Sequence, residues 1–217
     1  MVLKIRKATA ADEPAVSHIC LVTADAGKSA EELFQNKELP GLVYAVPYLH
    51  LSSAYRFVLV DINDENDQVQ EEKVVGYVVG STNCRAFEKD ATENWWPKIQ
   101  ARYPHPPEDS KEQYTGAEWY YFDTIAQPPT TGQEVVDIYQ AFLHINILKP
   151  YRGKGWGSKL IRTAAEEAKS EGGKGLWVGI DSKNDEGRKF YLAIGFERME
   201  SKEGEYYGLD VDKYLNR

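Results

Sequence analysis

Arg152, Gly153, Lys154, Gly155 and Gly157 crowd two cations and three glycines into one short run. Such a run suits an anion, because backbone without a Cβ can approach a ligand closely. The apolar stretch before it, residues 142–148 (Phe-Leu-His-Ile-Asn-Ile-Leu), reads as a strand, with His144 and Asn146 on one face and Leu143, Ile145 and Ile147 on the other. From Ser158 onward, Leu160, Ile161, Ala164, Ala165 and Ala168 recur at helical spacing. A glycine turn opening a helix collects unpaired N–H groups and the positive end of the helix dipole. The run therefore reads as a phosphate cradle. A plain strand-to-helix turn would need neither three glycines nor two cations.

Two common phosphate loops fail on spacing. The Walker pattern needs four residues between its first glycine and Gly-Lys-Ser/Thr. The dinucleotide fingerprint needs a third glycine where Ser158 or Leu160 stands. Arg-x-x-Gly-x-Gly does fit, through Arg152, Gly155 and Gly157, and it resembles the acetyl-CoA pyrophosphate loop of the GNAT superfamily of N-acetyltransferases. Other blocks are similar to the same superfamily: Ile-Arg-x-Ala-Thr-x-x-Asp at residues 5–12, Val-Val-Gly-Tyr-Val-Val-Gly at 74–80, and Asn184 followed by Phe190-Tyr191 and Gly195-Phe196. In detail, the 143–157 segment looks most like the acetyltransferase-like domains found with O-GlcNAc hydrolases.

The resemblance implies an α/β (α+β) fold: a mixed, mostly antiparallel sheet flanked by helices, with a central parallel strand pair splayed at the acetyl-CoA site. It implies acetyl-CoA as cosubstrate, a primary amine as acceptor, and direct attack of the amine on the thioester. Residues 153–158, with Arg152, would hold the pyrophosphate, so Gly153, Lys154, Gly155, Trp156, Gly157 and Ser158 are candidate cofactor contacts. The pantetheine arm would pair with backbone at Ile147 and Leu148, and the Leu148 N–H is a candidate donor to the oxyanion. Asn184 would fix the pantetheine or the helix start. Tyr191 matches the tyrosine many GNAT enzymes use as general acid toward the thiolate. A phenol with a pKa of about 10 is protonated at neutral pH, although Tyr191 also reads as a packing aromatic beside Phe190. His144 is the leading base candidate because imidazole titrates near neutrality. A hydrogen-bonded core histidine is the competing reading. Asp181 and Glu118 are weaker candidates, and a chain of water could serve instead.

The rest of the chain must position these groups. Strands are expected at residues 2–6, 57–60, 74–80, 175–181 and 206–211, with an exposed acidic hairpin loop at 63–72. Thr9 reads as a helix N-cap ahead of the stripe Val16, Ile19, Cys20 and Thr23. Residues 29–34 suggest a short helix broken by Pro40-Gly41, and residues 26–51 are placed over the acceptor by analogy. The strand, helix and strand of 142–181 imply a right-handed parallel crossover. Residues 85–134 read as an aromatic-rich insertion with helices near 88–101 and 111–122. It reads either as a lid over the acceptor or as helices burying their aromatics against the sheet.

Length and composition bound the rest. At 217 residues and 42% hydrophobic, the chain suits one GNAT-like domain spanning 1–217. A net charge of −8 argues against a nucleic-acid partner. No apolar run approaches the ~20 residues of a membrane span, and no signal peptide is evident. Two cysteines, Cys20 and Cys84, fit a reducing cytoplasm rather than a disulfide framework. The four histidines show no metal-ligand spacing. A monomer or a homodimer is expected. A catalytically silent module that only binds acetyl-CoA is the alternative to an enzyme.

Overall fold

A computed structural model of the chain describes residues 2–62, 72–202 and 204–217. The alternating N-terminal segment is strand β1 (Val2–Lys7). Thr9 starts the next element as expected. Its backbone N–H and its hydroxyl both donate to the Asp12 carboxylate, at 2.8 and 3.2 Å. A 3-10 turn at Ala10–Asp12 leads into helix α1 (Glu13–Leu21), and the stripe Val16, Ile19, Cys20 and Thr23 is buried.

Two expectations for the next segment are corrected. The helix at 29–34 shrinks to a 3-10 turn at Glu31–Leu33. Pro40-Gly41 does not break a helix but opens one, α2 (Leu39–Tyr44). A proline in the first turn costs no hydrogen bond, since those N–H groups are unpaired anyway. Gly41 lets α2 lie directly on α1, where a Cβ would stand 2.9 Å from the Ser17 Cα. Helix α3 (Pro47–His50) follows, again with proline at its start.

Strands β2 (Tyr55–Ile62) and β3 (Glu72–Ser81) form an antiparallel pair. The acidic loop expected between them falls, except for Glu72, outside the described residues. The insertion then supplies α4 (Cys84–Asn94), α5 (Trp96–Arg102), a 3-10 turn at Glu108–Gln113, and α6 (Gly116–Ala126). The single helix expected over 88–101 is two, because Pro97 suits the first turn of a new helix and not the interior of an old one. A short helix, α7 (Gln133–Val136), leads to strand β4 (Ala141–Ile147).

Helix α8 (Trp156–Ser170) begins two residues before the expected Ser158. Its stripe of Leu160, Ile161, Ala164, Ala165 and Ala168 is buried against the sheet. Burying each of the two larger side chains contributes about 2 kcal/mol. Strand β5 (Gly175–Ile180), helix α9 (Asp185–Ile194), strand β6 (Glu197–Met199), strand β7 (Glu205–Asp210) and helix α10 (Val211–Leu215) complete the chain. Strand β6 and helix α10 are too short to show a periodicity, and the sequence did not reveal them. Gly195 closes α9 at φ 103°, as a helix C-cap requires.

The sheet runs β1-β2-β3-β4-β5-β7-β6, antiparallel throughout except for β4 and β5. That parallel pair is in register only at Ala141 with Leu176 and Phe142 with Trp177, and the strands separate beyond it. One face of the sheet packs on α8, with Leu143, Ile147, Leu176 and Val178 among its core. The other packs on α1 and α3 through Val58, Tyr77, Val79 and Phe142. A third core joins α2 to the insertion through Leu42, Val46, Trp95, Ile99, Tyr121 and Ile125. The insertion therefore buries most of its aromatics against α2 rather than against the sheet. Trp95 Nε1 donates to the Leu42 carbonyl at 3.0 Å. Phe87, which stacks on Tyr48 and meets Phe142, is its reach to the sheet.

Candidate functional site

The three loop glycines have different physical jobs. Gly153 and Gly155 adopt φ of 72° and 79°, and nothing lies within 4 Å of where a Cβ would be. They let the backbone turn left-handed beside open space. Gly157 instead makes room for packing, because a Cβ there would stand 2.8 Å from Cζ of Phe190 on α9. Gly155 caps α8 without a side chain, and the first intrahelical bond runs from the Lys159 N–H to the Gly155 carbonyl. The N–H groups of Trp156, Gly157 and Ser158 thus open the helix without an intrahelical partner. Lys154 and Lys159 lie over the rings of Tyr151 and Trp156, and the Tyr214 hydroxyl donates to the Ser158 carbonyl at 2.9 Å. Arg152 ties the loop to its strand, Nε donating to the Ile147 carbonyl at 2.7 Å.

Strand β4 enters this loop with one edge open. In an antiparallel pair, alternate residues turn their N–H and C=O toward the neighbour. The Leu148 N–H donates to the Val75 carbonyl at 2.9 Å, which puts residues 144, 146 and 148 toward β3. Ile145 and Ile147 therefore point their backbone groups toward β5, which has already moved away. This corrects the oxyanion expectation, since the Leu148 N–H is already engaged. Ile145, which the strand alternation already groups with Ile147, was not among the expected cofactor contacts. A second unanticipated neighbour is the turn at residues 25–28. Ala26 and Gly27 adopt φ of 48° and 86°, and a Cβ on Gly27 would lie 3.7 Å from Arg152 Nη1 and 3.8 Å from Asn184 Oδ1.

A splayed parallel pair, an uncapped helix start and a left-handed glycine loop are features suited to a pyrophosphate and an extended arm. The model of the acetyltransferase (GNAT) family matches residues 30–196. The chain belongs to that family. Its cosubstrate is acetyl-CoA. Among solved structures, the chain is similar to the protein described as SsHAT, at 28% identity and a TM-score of 0.75, covering 97% of this chain and 99% of that one. It shares its fold with an acetyltransferase of Kribbella flavida related to GCN5, at 15% identity and a TM-score of 0.51, over 96% of this chain and 97% of that one. An uncharacterized N-acetyltransferase of Methanocaldococcus jannaschii is 36% identical over 74 residues, which are 33% of this chain and 30% of that protein. The match thus spans less than a third of that relative's length.

Against this GNAT frame the remaining candidates separate. His144 is half-buried on β4, Nε2 3.1 Å from the Tyr77 hydroxyl and 3.0 Å from Asn146 Nδ2. Asn146 Nδ2 also donates to Tyr77 at 2.8 Å. Burial pushes the imidazole down to about 4, so it is neutral at neutral pH. Tyr44, on α2, stacks on the same ring with centroids 6.2 Å apart. Tyr77, Asn146 and Tyr44 were not predicted as part of the site. Tyr77 gave no local signal, since only cross-strand register brings it opposite Asn146.

Tyr191 is buried between Phe190 and Phe196, at centroid distances of 5.3 and 5.2 Å, and burial raises its phenol above the ordinary value. Asn184 caps α9, its Oδ1 accepting the Gly187 N–H at 2.9 Å. The two weaker base candidates have structural duties of their own. Glu118 is 1% exposed and spends its carboxylate on three backbone N–H groups: Gln35 and Asn36 at 2.9 Å, and Thr115 at 3.1 Å. Asp181 is exposed at the end of β5 and accepts the Lys183 N–H at 2.8 Å, which shapes the turn before α9. Among the described residues, no group of three His, Cys, Asp or Glu side chains is arranged to hold a metal ion. No helix among them is long and apolar enough to cross a membrane.

Proposed function

We propose that this GNAT domain, taken as residues 1–217, is an acetyl-CoA-dependent N-acetyltransferase acting on a primary amine by direct attack. The observation that carries the reading is the uncapped start of α8, reached through Gly153 and Gly155 beside open space and aligned with the open edge of β4. A pyrophosphate fits there because donors point outward and no Cβ fills the cradle. Acetyl-CoA, when bound, supplies an acetyl group activated as a thioester. Arg152, Lys154 and the N–H groups of residues 153–158 hold its diphosphate. Ile147, the neighbouring Ile145 and the stretch at Leu148 hold the pantetheine arm, with Asn184 beside it.

The amine nitrogen forms the new bond to the acetyl carbon as the carbon–sulfur bond breaks. Tyr191 gives its phenolic proton to the departing sulfur. Its raised pKa keeps that proton in place until then. The amine's proton passes to neutral His144, directly or through water. Nδ1 is the nitrogen open to accept it in the tautomer whose Nε2–H donates to the Tyr77 hydroxyl; in the other tautomer Nε2 accepts from Asn146 Nδ2 and Nδ1 carries the hydrogen. Both cysteines are free and buried, which supports a reducing, cytoplasmic setting.

Calorimetric titration with acetyl-CoA, run beside Gly155→Glu, tests the cradle. Binding by the parent and loss in the variant is expected. Absence of binding by the parent at millimolar ligand would sink the reading. Release of free thiol in the presence of amines then distinguishes an enzyme from a silent binding module.

A further inference from the structure

We infer that the acceptor is a primary amine on an otherwise uncharged stem, and that Tyr120 together with Tyr44 selects it. This rests on the transferase reading above and narrows its substrate. Tyr44 covers the His144 ring, with 28° between the planes. Its hydroxyl lies 3.3 Å from that of Tyr120, a residue of α6 in the insertion that is 56% exposed. Tyr121 stands edge-on to both, 5.7 Å from each. Tyr44 thus links His144, on the part of β4 that β5 no longer flanks, to the exposed Tyr120 of α6, with the buried Tyr121 ring behind both. Tyrosine faces attract an ammonium group at close range. They also exclude water, which favours the neutral amine needed for attack.

Charge decides between kinds of amine. The chain carries a net −8, yet each carboxylate on the elements forming this wall already has a partner among the described residues. Helix α2 and strand β4 contain none. Glu38, just before α2, is taken by Arg102 and Tyr103. On α6, Glu118 is taken by backbone N–H groups and Asp123 by His105. Glu72, at the start of β3, is taken by Arg6. A polyamine or an aminosugar brings further ammonium groups, and each would lose hydration here without gaining a carboxylate. A single amine on an apolar stem makes no such demand.

The test compares thiol release with 2-phenylethylamine, Nα-acetyl-lysine amide and spermidine. It uses the parent, Tyr120→Ala and Tyr120→Glu, each checked for acetyl-CoA affinity by calorimetry. The parent is expected to favour the two monoamines in kcat/KM by about tenfold or more. Tyr120→Ala should raise their KM several-fold with acetyl-CoA affinity unchanged. Tyr120→Glu should move the ratio toward spermidine by about tenfold. A parent that prefers spermidine, or a ratio that neither variant moves, overturns the inference while leaving the transferase reading intact. Transfer to none of the amines by protein that binds acetyl-CoA overturns both.

Discussion

Arg152 Nε donates to the Ile147 carbonyl at 2.7 Å, so the glycine loop is tied back to the last residue of the strand it leaves. The loop's cation is therefore also its anchor. Arg152→Lys keeps the charge but loses the Nε geometry, and Arg152→Ala loses both. A hydrogen bond to a charged group contributes about 1.5–3 kcal/mol. Acetyl-CoA affinity should fall about tenfold or more in either variant, read by calorimetry, and the melting temperature should fall by several degrees as the internal hydrogen bond is lost. Equal affinity for parent and Arg152→Lys would show that only charge matters.

Gly157 and Phe190 are predicted to be coupled through packing. A Cβ at residue 157 would stand 2.8 Å from Phe190 Cζ. Gly157→Ala should destabilise by about 1–3 kcal/mol, as overpacking does. Phe190→Leu should recover part of that loss when the two are combined, since residues in contact do not add. Strict additivity of the two changes in thermal unfolding would refute the contact. Gly155→Ala has no clash to relieve, so Phe190→Leu should leave its cost, about 1 kcal/mol from the left-handed φ, unaffected.

Glu118 acts as a structural staple. Its carboxylate joins α6 to the loop before α2 by accepting three N–H groups. Glu118→Gln turns one acceptor into a donor facing another donor. A loss of about 2 kcal/mol or more is expected in chemical denaturation. An unchanged pH–rate profile in the surviving folded protein would separate this role from that of a base. Loss of one limb of that profile would restore Glu118 as a proton acceptor.

Two histidines should pull stability in opposite directions with pH. His144 titrates at about 4, below its ordinary 6.5, because it is buried. Between those values the unfolded chain binds the proton and the folded chain does not, so stability falls as pH drops from about 6.5 toward 4. His105 is raised, first by its hydrogen bond to Asp123. Its ring nitrogens lie 2.8 Å from the Pro106 carbonyl and 2.8 Å from Asp123 Oδ1, and only an imidazolium can donate to both. That contribution is full below about 6.5 and is lost as pH rises through the raised value. NMR titration of the ring protons checks both signs. Asp123→Asn should return His105 toward 6.5 and leave His144 where it is.

Much of the fold could be read from the chain because its signals are local. The apolar stripe of α8, the alternation of β4, the Thr9 cap and the Gly195 stop each depend on residues within a few positions of one another. The same locality explains the misplaced pieces. Pro40-Gly41 reads as a break in isolation, and it becomes a helix start only because α2 packs on α1 at Ser17. Strand β6 has three residues, and it exists through its pairing with β7 rather than through any pattern of its own.

For the site, the glycine loop was legible by its spacing, and the work of each glycine was not. The sequence by itself determined a strand, a left-handed glycine turn and a helix start in immediate succession, because glycine freedom and helical periodicity act over a few bonds. Only the tertiary structure decided that Gly157 faces Phe190, that the Leu148 N–H belongs to Val75, and that Glu118 is consumed by Gln35 and Asn36. It alone set Tyr44 over His144 and brought Tyr120 within reach of Tyr44. Those contacts join residues dozens of positions apart, and their partners are chosen by register and packing, which no short stretch of chain encodes.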